Sequence, residues 1–416
     1  MRICQLSRVV PTHAIGGMQD QVMLQSAALV ALGHEVVILT TAHPDGRTVE
    51  QIDGVEIRYV PRTRPIKFSR SWRRESQRYL VSTRVGRAFD VVHAQGSGGT
   101  ACLANSVHAA LGVPGILSLH GSAADEIRTA LNLMKHRPAP GQSVRSILVV
   151  AKQMYEHLRF TMPAARKADA VIATSRSAVD DYPRVLRIPK SKVHLIYNSI
   201  DTALFQRRVG RRGLLGLGND SFILLAVARL IEEKGVQYSI RAMPTILVSH
   251  PDAQLLVVGD GVYRPKLEQL AVELGIASRV RFVGSVSLSQ LPDYYSAADV
   301  FLNPTIRRNG YDMTILQSMA CGCAVIASDL PSVRSTLDGN TLVMIPPGDA
   351  AALSARAIEL MEKPDLRASL SLAGERDIRD RFGSESAAKR MVEIYQSVIA
   401  GGMSSKAPRL IGKEPC

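Results

Sequence analysis

Residues Asn303 to Ser328, NPTIRRNGYDMTILQSMACGCAVIAS, combine the parts of an anion site. The stretch opens on an Asn-Pro turn. A short helix is expected from Met313 to Ala320, because Leu316, Met319 and Ala320 fall at i, i+3, i+4 spacing on one apolar face. Gly322 supplies the left-handed stop, and Ala324-Val325-Ile326-Ala327 reads as a buried strand. A Gly-bearing loop, a helix N-terminus and a strand bring free N–H groups and the helix dipole to one point, which suits a phosphate. Asp312 stands beside the helix start. Its carboxylate can cap the helix and would then compete with a bound anion for those N–H groups.

The same stretch resembles the nucleotide-sugar signature of retaining glycosyltransferases of family 4, P-S-x-x-E-G-F-G-x-x-x-L-E-A-M-A-C-G-x-P-V-I. Pro304, Gly310, Leu316, Met319, Ala320, Cys321, Gly322, Val325 and Ile326 carry the match. The family's two glutamates fall on Asn309 and Gln317, and Asp312 stands where its second glycine is usual. The amides keep hydrogen-bonding reach and lose the charge. The resemblance implies a GT-B fold, α/β, with two Rossmann-like domains whose parallel sheets face each other across a cleft. It also implies a retaining, metal-independent transfer from a nucleotide-diphosphate sugar, with no cofactor. A UDP-sugar is the first expectation and a GDP-sugar the second, and the acceptor is a saccharide, a lipid-linked glycan or a small molecule.

Carried over residue by residue, the resemblance gives roles. Arg229 and Lys234, in ARLIEEKG, match the R-x4-K pair that neutralises the donor diphosphate, Arg as a fork and Lys as a point charge. Gly16 and Gly17 match the glycine loop that nears the phosphate. Met313 and Thr314, at the helix start, would offer backbone to it. Gln317 would hold the ribose, and Gly259, Val283, Gly284 and Val286 would line the base. His120, in a strand-ending His-Gly, and Asn309 would contact the transferred sugar. Asp312 caps the helix or takes over that sugar contact. Asp125 and Glu126 can take an acceptor proton, or are simply the acids of a helix's first turn. Asn198 matches the Asn of the family's hinge.

Other chemistry is disfavoured. No G-x-G-x-x-G opens either half, against a dinucleotide dehydrogenase. The five cysteines are scattered, and Cys321-x-Cys323 is too close for the usual zinc pair. They read as reduced thiols in a cytoplasmic protein. A nucleotide-sugar epimerase shares the expected architecture and stays open. So does a catalytically weak protein that binds nucleotide sugar or partners an active transferase, as the two amides suggest.

A chain of 416 residues with 46% hydrophobic content suits two domains near 200 residues each. We expect an acceptor-side domain over residues 1–205 and a donor domain over 206–383. A terminal helix over 384–400 would cross back, before a disordered tail at 401–416. Arg207–Gly218 reads as the connector. Strand and helix signals alternate throughout, which argues for parallel sheets. One helix is expected over 96–111 and another over 143–160. Residues 1–200 hold 26 Lys+Arg against 14 Asp+Glu, and most of the net +14 lies there. Much of it sits in Arg62–Arg87 with Phe68, Trp72 and Tyr79 interleaved. That segment fits an anionic membrane surface or a phosphate-bearing acceptor, or is a solvated arginine face. No nucleic-acid module motif accompanies it, so nucleic acid is not an expected partner.

Overall fold

The computed structural model of the protein describes residues 1–14, 17–82, 88–120, 150–218, 221–306, 312–337 and 339–405. Two sheets organise them. The first contains β1 (Arg2–Leu6), β2 (Glu35–Thr40), β3 (Val49–Ile52), β4 (Val55–Tyr59), β5 (Val91–Gln95), β6 (Gly115–Leu119), β7 (Ala170–Ala173) and β8 (Val193–Leu195). Their spatial order is β3-β4-β2-β1-β5-β6-β7-β8, parallel except for β3. The second contains β9 (Ile223–Val227), β10 (Gln254–Val258), β11 (Val280–Gly284), β12 (Val300–Asn303), β13 (Ala324–Ser328) and β14 (Val343–Ile345). It is wholly parallel in the order β11-β10-β9-β12-β13-β14. Strands such as β1, β2, β9 and β13 are nearly continuous apolar runs because helices cover both faces.

The helices that matter below are α1 (Gly17–Ala31), α2 (Arg70–Ser82), α3 (Arg176–Leu186), α4 (Val236–Ser249), α5 (Met313–Ala320), α6 (Pro364–Arg381) and α7 (Ser384–Ser405). The chain passes between the two sheets twice, side by side. Ile200 donates its N–H to the Phe382 carbonyl at 2.8 Å and pairs with Gly383. From there α7 lays Ala387, Ala388, Met391 and Tyr395 onto the first sheet's core with Ile3, Val22 and Leu29.

Several expectations change. β3 was not expected. It forms an antiparallel edge hairpin with β4 through Asp53-Gly54, both at positive φ as a two-residue turn requires. Instead of one helix over 96–111 there are a 3-10 turn at Gly96–Gly98 and helices at Thr100–Ala104 and Val107–Ala110. Gly98 and Gly99 lie against β1 and Ala94, and Ser106 turns left-handed at φ 58°. The helix expected to end at Phe160 passes through a π turn at His157–Thr161 and runs on to Lys167. The terminal helix continues through Gly401 to Ser405, past the expected stop at 400.

The connector after the hinge is docked. Arg207 donates to the Gly322 carbonyl and Ser371, Arg208 pairs with Asp293, and Arg212 pairs with Asp299. Ile200, Phe205 and Leu217 already pack into the second sheet's core. Cys4, Cys102, Cys321 and Cys323 are buried and unbridged. Among the described residues no helix is long and apolar enough to cross a membrane.

Candidate functional site

The loops after β9, β10, β11 and β12 meet at the carboxyl ends of these strands, where open parallel sheets take ligands. The first leaves β9 as Ala228-Arg229-Leu230 and turns through Glu232–Lys234 into Gly235 at φ 77°. This turn is laced to the loop after β12. The Thr305 hydroxyl donates to the Glu233 carbonyl at 3.0 Å, and so does the Ile306 N–H at 3.0 Å. A β-carbon on Gly235 would stand 1.9 Å from the Pro304 carbonyl oxygen, so only glycine lets the two backbones touch. The second loop, Gly259-Asp260-Gly261, crosses over the first. The Leu230 N–H donates to the Asp260 carbonyl, and a β-carbon on Gly259 would lie 1.9 Å from the Ala228 oxygen. The third, at the end of β11, is tied in by the Gly259 N–H donating to the Gly284 carbonyl at 2.8 Å. Val283 and Val286 pack partly buried behind it.

These contacts carry Lys234 to the start of α5. Lys234 forms an ion pair with Asp312, and both side chains are mostly buried. Asn303 Nδ2 donates to the other Asp312 oxygen at 3.2 Å and to Thr314 Oγ1 at 3.4 Å. Asn303 Oδ1 is buried without a partner. Of the two roles offered to Asp312, the helix cap does not form: Asp312 is the N-cap residue of α5 but makes no side-chain cap hydrogen bond. Its charge is drawn to Lys234 instead. Met313 and Thr314 form the first turn, as expected. Arg229 is exposed, and its side chain has no charged or hydrogen-bonding partner among the described residues. Gln317 is turned inward and its Oε1 accepts from the buried Tyr295 hydroxyl at 3.0 Å.

The first sheet faces this assembly. A β-carbon on Gly17 would come 3.1 Å from Met313 Cγ, so the start of α1 meets the start of α5 across the cleft. One turn along, Gln21 grips the hinge. Its Nε2 donates to Ser199 Oγ at 2.8 Å and its Oε1 accepts from the Ser199 N–H at 2.7 Å. Beyond the end of β6, His120 Nε2 is 3.0 Å from Gln95 Oε1, and Gln95 Nε2 donates to Gln5. Because that amide donates with its nitrogen, its oxygen accepts from His120 and fixes the ring. Asn198 lies alongside, its Oδ1 buried without a hydrogen-bond partner. Burial pushes His120 down to about 4, the Asn198 side chain opposing. Behind it, His93 is held between the Tyr395 hydroxyl and Ser118 Oγ, both at 2.7 Å, and burial pushes it down to about 3. The helix that crosses back is therefore bonded to the histidine beneath the site.

Both rings stay neutral near pH 7. The unfolded chain takes up their protons below the ordinary value of 6.5, while the folded chain resists until about 4 and 3. Stability is thus complete above 6.5 and is lost as pH falls through that window, each tenfold difference in a ring's proton affinity between the two states being worth about 1.4 kcal/mol. His13, His34, His108, His157 and His194 are lowered in the same direction by burial. Denaturation followed from pH 7 to 4 should show a progressive fall. His120→Asn should flatten it if the variant's slope is compared with that of the parent.

Gly16, Asn309, Asp125 and Glu126 lie outside the described residues. Asp20, in the first turn of α1, was not singled out from the sequence. It is half-buried, has no ionic partner among the described residues, and burial raises its carboxyl to about 6. Nothing in its sequence context distinguishes it from an ordinary helix-start acid. Among the described residues no three His, Cys, Asp or Glu side chains converge as metal ligands do.

Residues 15–204 match the model of Glycosyltransferase Family 4, and residues 221–363 that of Glycosyl transferases group 1. The chain is 27% identical over 407 residues to D-inositol 3-phosphate glycosyltransferase 1 of Catenulispora acidiphila, covering 93% of this chain and 92% of that one. It is 31% identical over 192 residues to the GDP-mannose-dependent monoacylated alpha-(1-6)-phosphatidylinositol monomannoside mannosyltransferase of Corynebacterium glutamicum, 45% of this chain and half of that one. Sucrose-phosphate synthase from Thermosynechococcus elongatus shares the fold with TM-score 0.79 at 23% identity, over 96% of this chain and 99% of that one.

Proposed function

Because the chain belongs to the family 4, group 1 glycosyltransferases and has their GT-B fold, we propose that it transfers a sugar, with retention and without a metal, from a nucleotide-diphosphate donor. The observation that carries this reading is the meeting of the loops that bear Arg229, Lys234, Gly259 and Gly284 with the start of α5, which the start of α1 faces across the cleft. Arg229 and Lys234 are the cations for the leaving diphosphate. The α5 N–H groups, not capped by Asp312, add donors to it. His120, neutral and fixed by Gln95, donates or accepts hydrogen bonds to the sugar without adding a cation beside an oxocarbenium-like centre. The acceptor oxygen bonds to the anomeric carbon as the bond to phosphate breaks. The acceptor proton passes to the departing phosphate oxygen on the same face. UDP-sugar is the donor we favour, with GDP-mannose second, since one relative's name specifies it.

The test is a panel of UDP- and GDP-sugars, read by thermal shift and by nucleotide release. Stabilisation with release supports an enzyme and names its donor class. Stabilisation without release across a broad acceptor screen favours the second reading, a weak or binding-only protein, which the amides Asn309 and Gln317 motivate. No stabilisation by any donor overturns the proposal.

The acceptor-side face has its own expectation. On α2, Trp72, Ser76 and Leu80 are buried, while Arg70, Arg74 and Arg78 repeat at four-residue spacing on the exposed side. Glu75 pairs with Arg74 and Arg78, and Arg64 and Lys67 add exposed charge nearby. We propose that this face seats an anionic lipid surface carrying a lipid-linked acceptor. Each such residue near the surface is worth about 1 kcal/mol. Arg70, Arg74 and Arg78 changed together to Ala should weaken flotation with anionic vesicles on the order of tenfold or more. Equal flotation with neutral vesicles removes the idea.

A further inference from the structure

We propose that Asp312 is a resident counter-anion. It occupies Lys234 in the free protein, is displaced by the donor diphosphate, and returns to Lys234 to help expel the nucleotide after transfer. The proposal rests on the donor reading above and adds a means of exchange to it.

The argument starts from position. Lys234 ends a tight turn and Asp312 begins a helix, 78 residues apart. Each is held there by contacts outside the pair: the turn by the Thr305 hydroxyl, the Ile306 N–H and the Gly235 contact, the helix start by its packing on the second core. The ion pair is therefore built by the loops that frame the anion seat. Asp312 also makes no side-chain cap on α5, the task its location suggests. Its second oxygen is steered by Asn303, whose own Oδ1 is buried without a partner.

The charge balance then follows. Paired with Asp312, Lys234 leaves Arg229 as the exposed cation of the seat. A diphosphate cannot settle against Lys234 while a carboxylate holds it, because like charges at contact distance in a mostly buried place repel strongly. The carboxylate must give way, and the cost of parting the pair reduces apparent affinity for the nucleotide. The same cost favours departure of the product, whose diphosphate no longer carries the sugar's contacts. The resemblance puts a glycine at this position, which could do neither.

The test uses UDP and GDP alone, by titration calorimetry, with the full chain, Asp312→Asn, Asp312→Gly and Lys234→Ala. Asp312→Asn and Asp312→Gly should each bind the preferred nucleotide on the order of tenfold more tightly than the parent. Their KM for the donor should fall, and kcat should fall with it as release becomes slow. Lys234→Ala should bind weakly. An ion pair that only supports the fold predicts the opposite for Asp312→Asn, weaker or unchanged binding, and that result overturns the proposal while parental binding still stands. If the parent itself binds neither nucleotide, the donor reading fails and takes this one with it. Melting curves on both Asp312 variants identify a variant that does not fold, and the other then decides.

Discussion

Lys234→Ala should lower kcat/KM for the sugar donor by on the order of 10³-fold, with Arg229→Ala close behind. On the proposed reading, both cations face the negative charge that builds on the leaving diphosphate. Arg229 is exposed and its side chain is unpartnered among the described residues, so its loss should leave stability unchanged and act on turnover alone. Lys234 differs because removing it leaves Asp312 mostly buried and without its cation. Breaking a buried pair from one side costs about 3 kcal/mol or more. The double variant Lys234→Ala/Asp312→Ala removes that penalty without restoring activity. Steady-state kinetics beside urea denaturation separates the two effects. Donor turnover by Lys234→Ala at the parental rate would remove the diphosphate seat from this location.

Gly235→Ala should be nearly as damaging, by a different route. At φ 77° an alanine costs about 1–2 kcal/mol for its backbone alone. Its methyl would also fall 1.9 Å from the Pro304 oxygen and 2.6 Å from the Pro304 carbon, and backbone cannot rotate aside. The turn must lift away from the loop after β12, at a further cost of about 1–3 kcal/mol, and Lys234 leaves with it. Two controls divide the effect. Gly275, at φ 70° with nothing within 4 Å, isolates the backbone cost. Gly213, open and in a short helix, should be neutral or slightly stabilising when changed to Ala. Denaturant midpoints and donor KM measured on all three check the division. A Gly235→Ala protein matching Gly275→Ala in both would show that the contact with Pro304 is soft.

Much of the fold was legible because parallel strands buried on both faces print themselves as apolar runs. α5 has the residue limits expected of it, Met313–Ala320. The edge hairpin was missed although Asp53-Gly54 signalled it, since Val49–Ile52 alternates weakly and half faces solvent. The split of 96–111 was missed because it depends on how closely Gly98 and Gly99 approach β1, which no local pattern encodes. Motif and strand-end context single out Arg229, Lys234, His120, Gly259 and Gly284 as candidates, and the structure brings the loops that bear the second-sheet ones together. The partner of Lys234 was not foreseen. Local reasoning offers Asp312 a helix cap or a sugar contact, whereas the contact observed comes from a distant turn. The bond from Tyr395 to His93 spans 302 residues and has no local trace at all.

That last bond bears on how the protein is made. The first sheet is nearly complete by Leu195, yet its core is closed by Ala387, Ala388, Met391 and Tyr395, which are translated only after every strand of the second sheet. A nascent chain therefore exposes an apolar groove, with the His93 ring at its floor, throughout translation of the second half. Domains usually fold in the order in which they emerge; here the earlier one waits for the later one's final helix. Chains that stall before residue 384 should be caught by chaperones and proteases as unfinished, even though both sheets have already been translated.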